Sequence, residues 1–102
     1  MRIVKEKFLH DAAANYPQAA KYLAAWIAVV RAARWRSLAD VRRVYPSADL
    51  VSVVSDKPVI VFNVCGNAYR LIAAMHFDRQ IAYTLRFLTY AEYSKNRWKN
   101  EL

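Results

Sequence analysis

The stretch Val61-Phe-Asn-Val-Cys-Gly-Asn-Ala-Tyr-Arg70 decides the fold of this chain, because it predicts two paired strands and the turn between them. Gly66-Asn67 is a plausible two-residue hairpin turn, since both residue types tolerate a positive φ angle. The register that this turn sets pairs Asn63 with Arg70 across the two strands. An asparagine and an arginine are therefore predicted to lie side by side on one face of a sheet.

A second hairpin, which turns near Asp78-Arg79, adds another strand. The apolar residues of both its strands stand at odd-numbered positions. Matching the two sets requires an odd-length loop, because a one-residue slip would turn a whole strand over. In that register Arg86 lies on the same sheet face as Arg70 and Asn63. The opposite face, which helices can cover, is predicted to carry Phe62, Leu71, Leu85 and Phe87.

The face with the arginines also holds Val61, Ile72 and Ala74. A sheet face that is half apolar and carries converging arginines is more typical of a binding cleft than of a solvated surface. Arginine is always charged and forms paired hydrogen bonds to phosphate oxygens. Arg70 and Arg86 could therefore stabilise the negative charge of a phosphorane-like transition state. The alternative is that both are structural and bind carboxylates, although acidic residues are scarce in this half of the chain.

Two helices are predicted before the sheet. Lys5–Asn15 has its apolar residues on one face, and Gln18–Ala33 is rich in alanine with apolar residues three or four apart. Asn15-Tyr16-Pro17 separates them, since the residue before a proline avoids the helical region. We therefore expect two antiparallel helices joined by a tight turn.

Shorter elements complete the pattern. Arg2-Ile3-Val4 is a β-like run, and Ser37-Leu-Ala-Asp40 resembles the capped start of a short helix. Thr89-Tyr-Ala-Glu92 has the spacing of a capping box, so a last helix is predicted to begin at Tyr90 and to continue into the basic tail Lys95–Lys99. The chain is thus expected to form one α+β domain over residues 1–102. Two N-terminal helices pack on a mainly antiparallel sheet, and a short helix follows at the C-terminal end.

The composition points to a polyanionic partner. The chain has 102 residues, of which 57% are hydrophobic, enough for a real core. Its 16 basic and eight acidic residues give a formal net charge of +8. Such an excess on a short chain favours nucleic acid, an anionic membrane surface or an acidic protein as partner.

Cysteine usage and hydropathy bear on the compartment. Cys65 is the single cysteine, so no intramolecular disulfide can form, which fits a reducing environment. The charged N-terminus leads into no apolar signal core, and the longest apolar stretch, Leu23–Val30, is too short to span a bilayer. We expect a cytoplasmic protein without a membrane partner.

Tyr90 and Tyr93 are candidates for proton transfer or for stacking on a nucleobase, and the alternative is that they pack the last helix on the sheet. Trp98, among basic residues, could stack on a base or contact a partner protein. Two isolated histidines, His10 and His76, and one cysteine make no recognisable zinc site. No glycine-rich phosphate loop or dinucleotide motif is present either, so no cofactor or metal is expected.

A second basic cluster follows the long helix. It is either a solvated helix end or a contact surface for phosphates or an acidic partner, and the sequence leaves both open. Its members are Arg31, Arg34, Arg36, Arg42 and Arg43.

Several motifs, in this order along nearly the whole chain, resemble the HigB toxins of bacterial type II toxin–antitoxin systems, within the RelE/ParE-like superfamily. They are Asp11-Ala-Ala with Tyr16-Pro17, Val61-Phe62-Asn63-Val64, Gly66-Asn67-x-Tyr69-Arg70-Leu71-Ile72, and Arg86-x-x-Thr89-x-x-Glu92-Tyr93. The block from Val61 to Arg70 is the most specific of them. The resemblance implies a RelE-like fold.

The resemblance also implies a metal-independent endoribonuclease that cuts mRNA, often on the translating ribosome, by attack of a ribose 2′-hydroxyl on the adjacent phosphate. It implies a cognate helix-turn-helix antitoxin similar to HigA. The residues that it suggests for catalysis are Arg70, Arg86, Tyr93, Tyr90 and Asn63. The candidates for binding RNA are Asn67, Lys57, Lys95, Arg97 and Lys99.

One departure concerns the last helix, where the family usually reads Thr-His-x-Glu-Tyr and this chain has Tyr90 in place of the histidine. An unperturbed tyrosine, with a pKa of about 10, is a poor proton carrier near neutral pH. Either Tyr90 or Tyr93 therefore works with a lowered pKa, the arginines dominate, or the activity is weakened. Two alternative functions are a non-catalytic basic module, a decayed toxin that binds RNA or protein, and a ParE-like gyrase inhibitor.

Overall fold

A five-stranded sheet with helices on both faces forms the protein, so the predicted α+β class is confirmed. The computed structural model describes all 102 residues. None of its helices is long and apolar enough to cross a membrane. The strands are β1 (Arg2–Val4), β2 (Asp49–Ser52), β3 (Pro58–Val64), β4 (Tyr69–His76) and β5 (Ile81–Thr89). The helices are α1 (Glu6–Asn15), α2 (Ala20–Ala32), α3 (Leu38–Val44), α4 (Tyr90–Ser94) and α5 (Arg97–Glu101), with a 3₁₀ turn at Pro17–Ala19.

The strands are arranged in the order β1-β5-β4-β3-β2. Three successive hairpin connections make β2 to β5 antiparallel, as the short loops between them require. The strand β1 is added in parallel to β5, because the helices α1 and α2 lie between β1 and the rest of the sheet in sequence. The predicted mainly antiparallel sheet is thus confirmed.

The first hairpin has the predicted register, with Asn63 opposite Arg70. Its turn differs in one detail, because the positive φ angles belong to Cys65 (53°) and Gly66 (68°) and not to Asn67. The turn is closed by a 3.3 Å hydrogen bond from the amide of Ala68 to the carbonyl of Cys65. Because the turn still spans an even number of residues, the register does not change.

For the second hairpin, the predicted register is wrong near the loop and correct at the far end of the strands. Next to the loop Ala73 pairs with Thr84, but further along Ile72 pairs with Arg86, so a β-bulge lies between these pairs. The extra residue of the bulge is Leu85. Leu85 therefore lies on the arginine face and not on the helix-covered face, which corrects the prediction. Phe62, Leu71 and Phe87 do lie on the helix-covered face.

The helices α1, α2 and α3 cover one face of the sheet and enclose the main core. Trp26 of α2 is fully buried and meets the ring of Phe62 edge-on, with 5.6 Å between ring centres. Aromatic pairs in this arrangement stabilise a core beyond their buried area. The short helix α3 forms as predicted, although the side chain of Ser37 makes no capping bond. Instead the carboxylate of Asp40 accepts a 2.8 Å hydrogen bond from the amide of Arg36.

The C-terminal segment does not continue the helix α4, and this prediction is wrong. Asn96 takes a left-handed conformation (φ 61°) that ends α4, and α5 then packs on the arginine face of the sheet. Trp98 is 2% exposed there and lies with four valine or isoleucine residues in a second apolar cluster. Its indole donates a 3.1 Å hydrogen bond to the carbonyl of Tyr93. A buried Trp98 can neither stack on a base nor contact a partner protein. Both roles predicted for this residue are therefore wrong.

Candidate active site

Arg70 is the most buried charged side chain of the arginine face. It is only 7% exposed, yet no carboxylate lies within ion-pairing distance of its guanidinium. Its nitrogens donate to the carbonyl of Tyr69 at 3.0 Å and to the side-chain oxygen of Asn67 at 3.2 Å. A buried cation is costly unless a counter-charge or several hydrogen bonds compensate it. Arg70 is thus a fixed positive charge whose opposite charge the protein does not supply.

Two tyrosine rings of α4 hold this guanidinium. The guanidinium carbon of Arg70 is 5.1 Å from the ring centre of Tyr90 and 5.4 Å from that of Tyr93, both within the range of cation–π attraction. The predicted capping box is formed, because the Thr89 hydroxyl accepts from the amide of Glu92 and the Glu92 carboxylate accepts from the amide of Thr89. The sequence signal that starts α4 therefore also places the two tyrosines.

The start of α4 is also attached to the first hairpin. The amide of Tyr90 donates a 3.0 Å hydrogen bond to the carbonyl of Ala68, next to Asn67 in the turn. Asn63 lies directly opposite Arg70 on the neighbouring strand and is half-buried on the same face. The turn, the strands β3 and β4 and the start of α4 thus meet around one arginine.

Arg86 has a different environment from Arg70. It is 36% exposed, and its Nε lies 3.5 Å from a carboxylate oxygen of Glu101 in α5. We expected few carboxylates near the two arginines to neutralise their charge. This is correct for Arg70 and wrong for Arg86. The sequence offered one signal for this contact, since Asn96 is a residue type that tolerates the left-handed turn by which α5 folds back.

The two arginines are diagonal neighbours on adjacent strands. Arg70 pairs with Leu88, two residues after Arg86, and diagonal neighbours of this kind are about 7–8 Å apart. Each guanidinium donates to the carbonyl of the residue before it, Tyr69 for Arg70 and Leu85 for Arg86 at 2.7 Å. Because β4 and β5 run in opposite directions, the two bonds are made toward opposite ends of the sheet. The arginines share a face but do not converge on one point.

Burial raises the pKa of the Tyr93 hydroxyl above its usual value, and the nearby positive charge of Arg70 only partly opposes this effect. The expected lowering of a tyrosine pKa is therefore wrong for Tyr93. Tyr93 keeps its proton at neutral pH, so it can donate a proton but cannot accept one. The Tyr90 ring is 50% exposed at the surface of the same site.

The remaining candidates are only partly brought together. Asn67 contacts Arg70 directly, whereas Lys95 and Arg97 are exposed on the C-terminal segment. The ammonium of Lys99 lies 5.6 Å from the Trp98 ring centre. Lys57 precedes β3 and is about 20 Å from Asn63, given the rise per residue of a strand. His10 and His76 are both exposed, and no three His, Cys, Asp or Glu side chains of the protein lie together as metal ligands would.

Comparison with known proteins gives consistent matches. The family model described as HigB toxin, RelE-like toxic component of a toxin–antitoxin system, matches residues 19–96. The mRNA interferase toxin HigB of Escherichia coli strain K12 is 33% identical over 93 residues, which make up 91% of this chain and 88% of that protein. The mRNA interferase HigB of Shigella flexneri matches to the same extent. These matches confirm the resemblance that the motifs indicate.

Proposed function

Because the chain belongs to the HigB toxin family, the RelE-like toxic components of toxin–antitoxin systems, we propose that it arrests growth as an endoribonuclease that cleaves mRNA. One observation carries this proposal, namely the buried guanidinium of Arg70, which has no carboxylate partner and lies within cation–π range of two tyrosine rings. An RNA phosphate is an anion that would complete this site. The names of the similar proteins, which describe them as mRNA interferases, support the same substrate.

The proposed reaction is an intramolecular displacement at phosphorus. The ribose 2′-oxygen loses its proton to solvent and forms a bond to the adjacent phosphorus, and the bond from phosphorus to the 5′-oxygen breaks. The products are a 2′,3′-cyclic phosphate and a 5′-hydroxyl end. Arg70 stabilises the charge that develops on the phosphate oxygens, since fixed donors aimed at such charge are a large source of rate enhancement. Arg86, on the next strand, adds positive charge along the RNA backbone and not at the same phosphate oxygens, and Asn63 orients the phosphate.

Proton donation is assigned to Tyr93. The departing 5′-oxygen needs a proton, and Tyr93 carries one at neutral pH because burial raises its pKa. Tyr90, half-exposed beside Arg70, supplies an aromatic surface for the base next to the scissile phosphate. No step is assigned to a metal ion, because the fixed guanidinium of Arg70 can supply the positive charge that the transition state needs.

The partners follow from the same assignment. As a member of a toxin–antitoxin family, the chain has an antitoxin partner, and we propose that this partner is a helix-turn-helix protein similar to HigA. The net charge of +8 favours binding to ribosomal RNA, so we propose that cleavage takes place on the translating ribosome, in the cytoplasm. Asn67, Lys95, Arg97 and Lys99 are proposed to contact the RNA around the site.

Induction of Arg70→Ala in growing cells tests the proposal. Wild-type protein should arrest growth and produce discrete new 5′ ends on cellular mRNA in primer extension, whereas Arg70→Ala should produce neither while remaining folded. Arg79→Ala, an exposed arginine at the tip of the β4–β5 hairpin, serves as the matched control and should behave as wild type. Growth arrest without new 5′ ends would contradict the nuclease, and DNA damage in its place would indicate a gyrase inhibitor.

A further inference from the structure

A groove of about 590 Å³ lies on the arginine face of the sheet, at the end remote from Arg70. Most of its lining is apolar, and Leu102 forms part of one wall. The residues that matter for its chemistry are Lys57, Val59, Ala74, His76, Tyr83 and Leu85. No aspartate or glutamate side chain is among the lining residues.

The groove adjoins the candidate active site at Arg86, which faces Glu101 of α5, while Leu102 beside it forms part of the groove wall. Because of the bulge in β5, Leu85 and Arg86 lie on the same face although they are consecutive in sequence. Leu85 lines the groove, so the groove begins at the residue next to Arg86. Tyr83 follows on the same face one step further along the strand. A strand of RNA held by the two arginines can therefore run along β5 into the groove.

The groove offers the groups that single-stranded nucleic acid uses. The rings of Tyr83 and His76 meet edge-on, 5.2 Å apart at an angle of 82°, which fixes the half-buried tyrosine against the wall. Lys57 is exposed at the opposite wall and forms no ion pair. Aromatic surfaces that stack on bases, combined with cations along the backbone, are typical of sites for single-stranded RNA. The neighbouring carboxylate of Glu101 is engaged by Arg86.

We propose that this groove is a second RNA subsite, which binds a nucleotide flanking the scissile position by stacking its base on Tyr83 and contacting its phosphate with Lys57. This inference rests on the proposed function, since it assumes RNA as the substrate. It assigns Lys57 to the flanking nucleotide and not to the scissile phosphate. RNA that reaches the groove should therefore bind more tightly than RNA that covers only the arginines.

Fluorescence anisotropy with two RNA probes, a trinucleotide and a nonanucleotide, tests the subsite on the full chain. Wild type should bind the nonanucleotide more tightly, and Tyr83→Ala should weaken binding of this probe by about tenfold, as expected for one lost stacking contact. Binding of the trinucleotide should not change. Tyr83→Phe keeps the ring and should restore tight binding, which separates stacking from a general loss of structure.

The salt dependence of binding tests Lys57 separately. Lys57→Gln should reduce the slope of log affinity against log salt for the nonanucleotide by about 0.7, the value for one contact with a single-stranded phosphate. Lys21→Gln removes another exposed lysine, in α2, and should leave the slope unchanged.

The subsite would be overturned if wild type bound both probes equally or if Tyr83→Ala had no effect on binding of the nonanucleotide. It would also be overturned if Tyr83→Ala lost binding to the antitoxin but kept its affinity for RNA. The last result would assign the groove to the protein partner. The proposed nuclease is judged by a different readout, since an Arg70→Ala variant that still arrests growth would contradict it without affecting the oligonucleotide comparison.

Discussion

The guanidinium of Arg70 lies against the ring of Tyr90, 5.1 Å from its centre, and not against a carboxylate. A ring can hold a cation without neutralising it, so the charge remains available to a phosphate. Tyr90 stands where the resemblance to the HigB family leads us to expect a histidine, and we propose that the site uses its ring more than its hydroxyl.

Tyr90→Phe is therefore expected to keep most of the activity, while Tyr90→Ala loses about 0.5–2 kcal/mol of cation–π stabilisation, equivalent to roughly a two- to thirtyfold loss in cleavage. The measurement is the rate of mRNA cleavage in a cell-free translation reaction. A Tyr90→Phe variant as inactive as Tyr90→Ala would show that the hydroxyl takes part in the chemistry.

Tyr93→Phe removes the proposed proton donor and should slow cleavage by about a hundredfold or more. Because burial raises the pKa of Tyr93 above its usual 10, the protonated donor persists across neutral and mildly alkaline pH. Wild-type cleavage should accordingly lose this donor only as the pH rises above about 10. Tyr45→Phe, at a half-buried tyrosine on the helix side, is the control. A wild-type rate that fell with an apparent pKa near 8 would contradict the assignment.

Glu101→Gln should strengthen RNA binding, because it releases Arg86 from its carboxylate partner. The pair is exposed, and exposed pairs contribute about 0–1 kcal/mol, so the gain in affinity should not exceed about fivefold. Asp78→Asn makes the same change of charge at an exposed carboxylate on the β4–β5 hairpin and should have a smaller effect. Anisotropy with the nonanucleotide measures both variants, and weaker binding by Glu101→Gln would mean that Glu101 positions Arg86 productively.

Trp98→Ala should destabilise the protein by about 3–5 kcal/mol, since it empties the centre of the second apolar cluster. The loss should detach α5 from the sheet and expose Tyr93, whose ring stacks on Trp98 with 5.4 Å between centres. Chemical denaturation monitored by circular dichroism gives the free energy of unfolding. Trp98→Phe, which fills most of the space, should cost less, and equal stability of Trp98→Ala and wild type would refute the packing role.

The first hairpin, the two N-terminal helices and the start of α4 were predictable because each has a local signal. A turn sets the pairing of Asn63 with Arg70, apolar spacing defines the helices, and a capping box begins at Thr89. The tyrosine pair around Arg70 follows from these elements once the sheet is assembled.

The course of β5 and of the C-terminal segment was not predictable in the same way. In β5 the odd positions Tyr83, Leu85 and Phe87 are all apolar, so alternation alone predicts that they share the face toward the core. Before the bulge, however, the residues that enter the core are the small Ala82 and Thr84. The return of α5 depends on the left-handed conformation of Asn96, which its sequence permits but does not require. The contact between Arg86 and Glu101 depends on both features.

The bulge at Leu85 has a consequence for how relatives of this protein are compared. Positions of β5 before it face the core when their numbers are even, and positions after it when their numbers are odd. A relative that lacks the additional residue needs an alignment gap within the strand itself, which routine alignment tends to shift into a neighbouring loop. An arginine aligned across such a misplaced gap would be matched to a side chain pointing to the opposite side of the sheet.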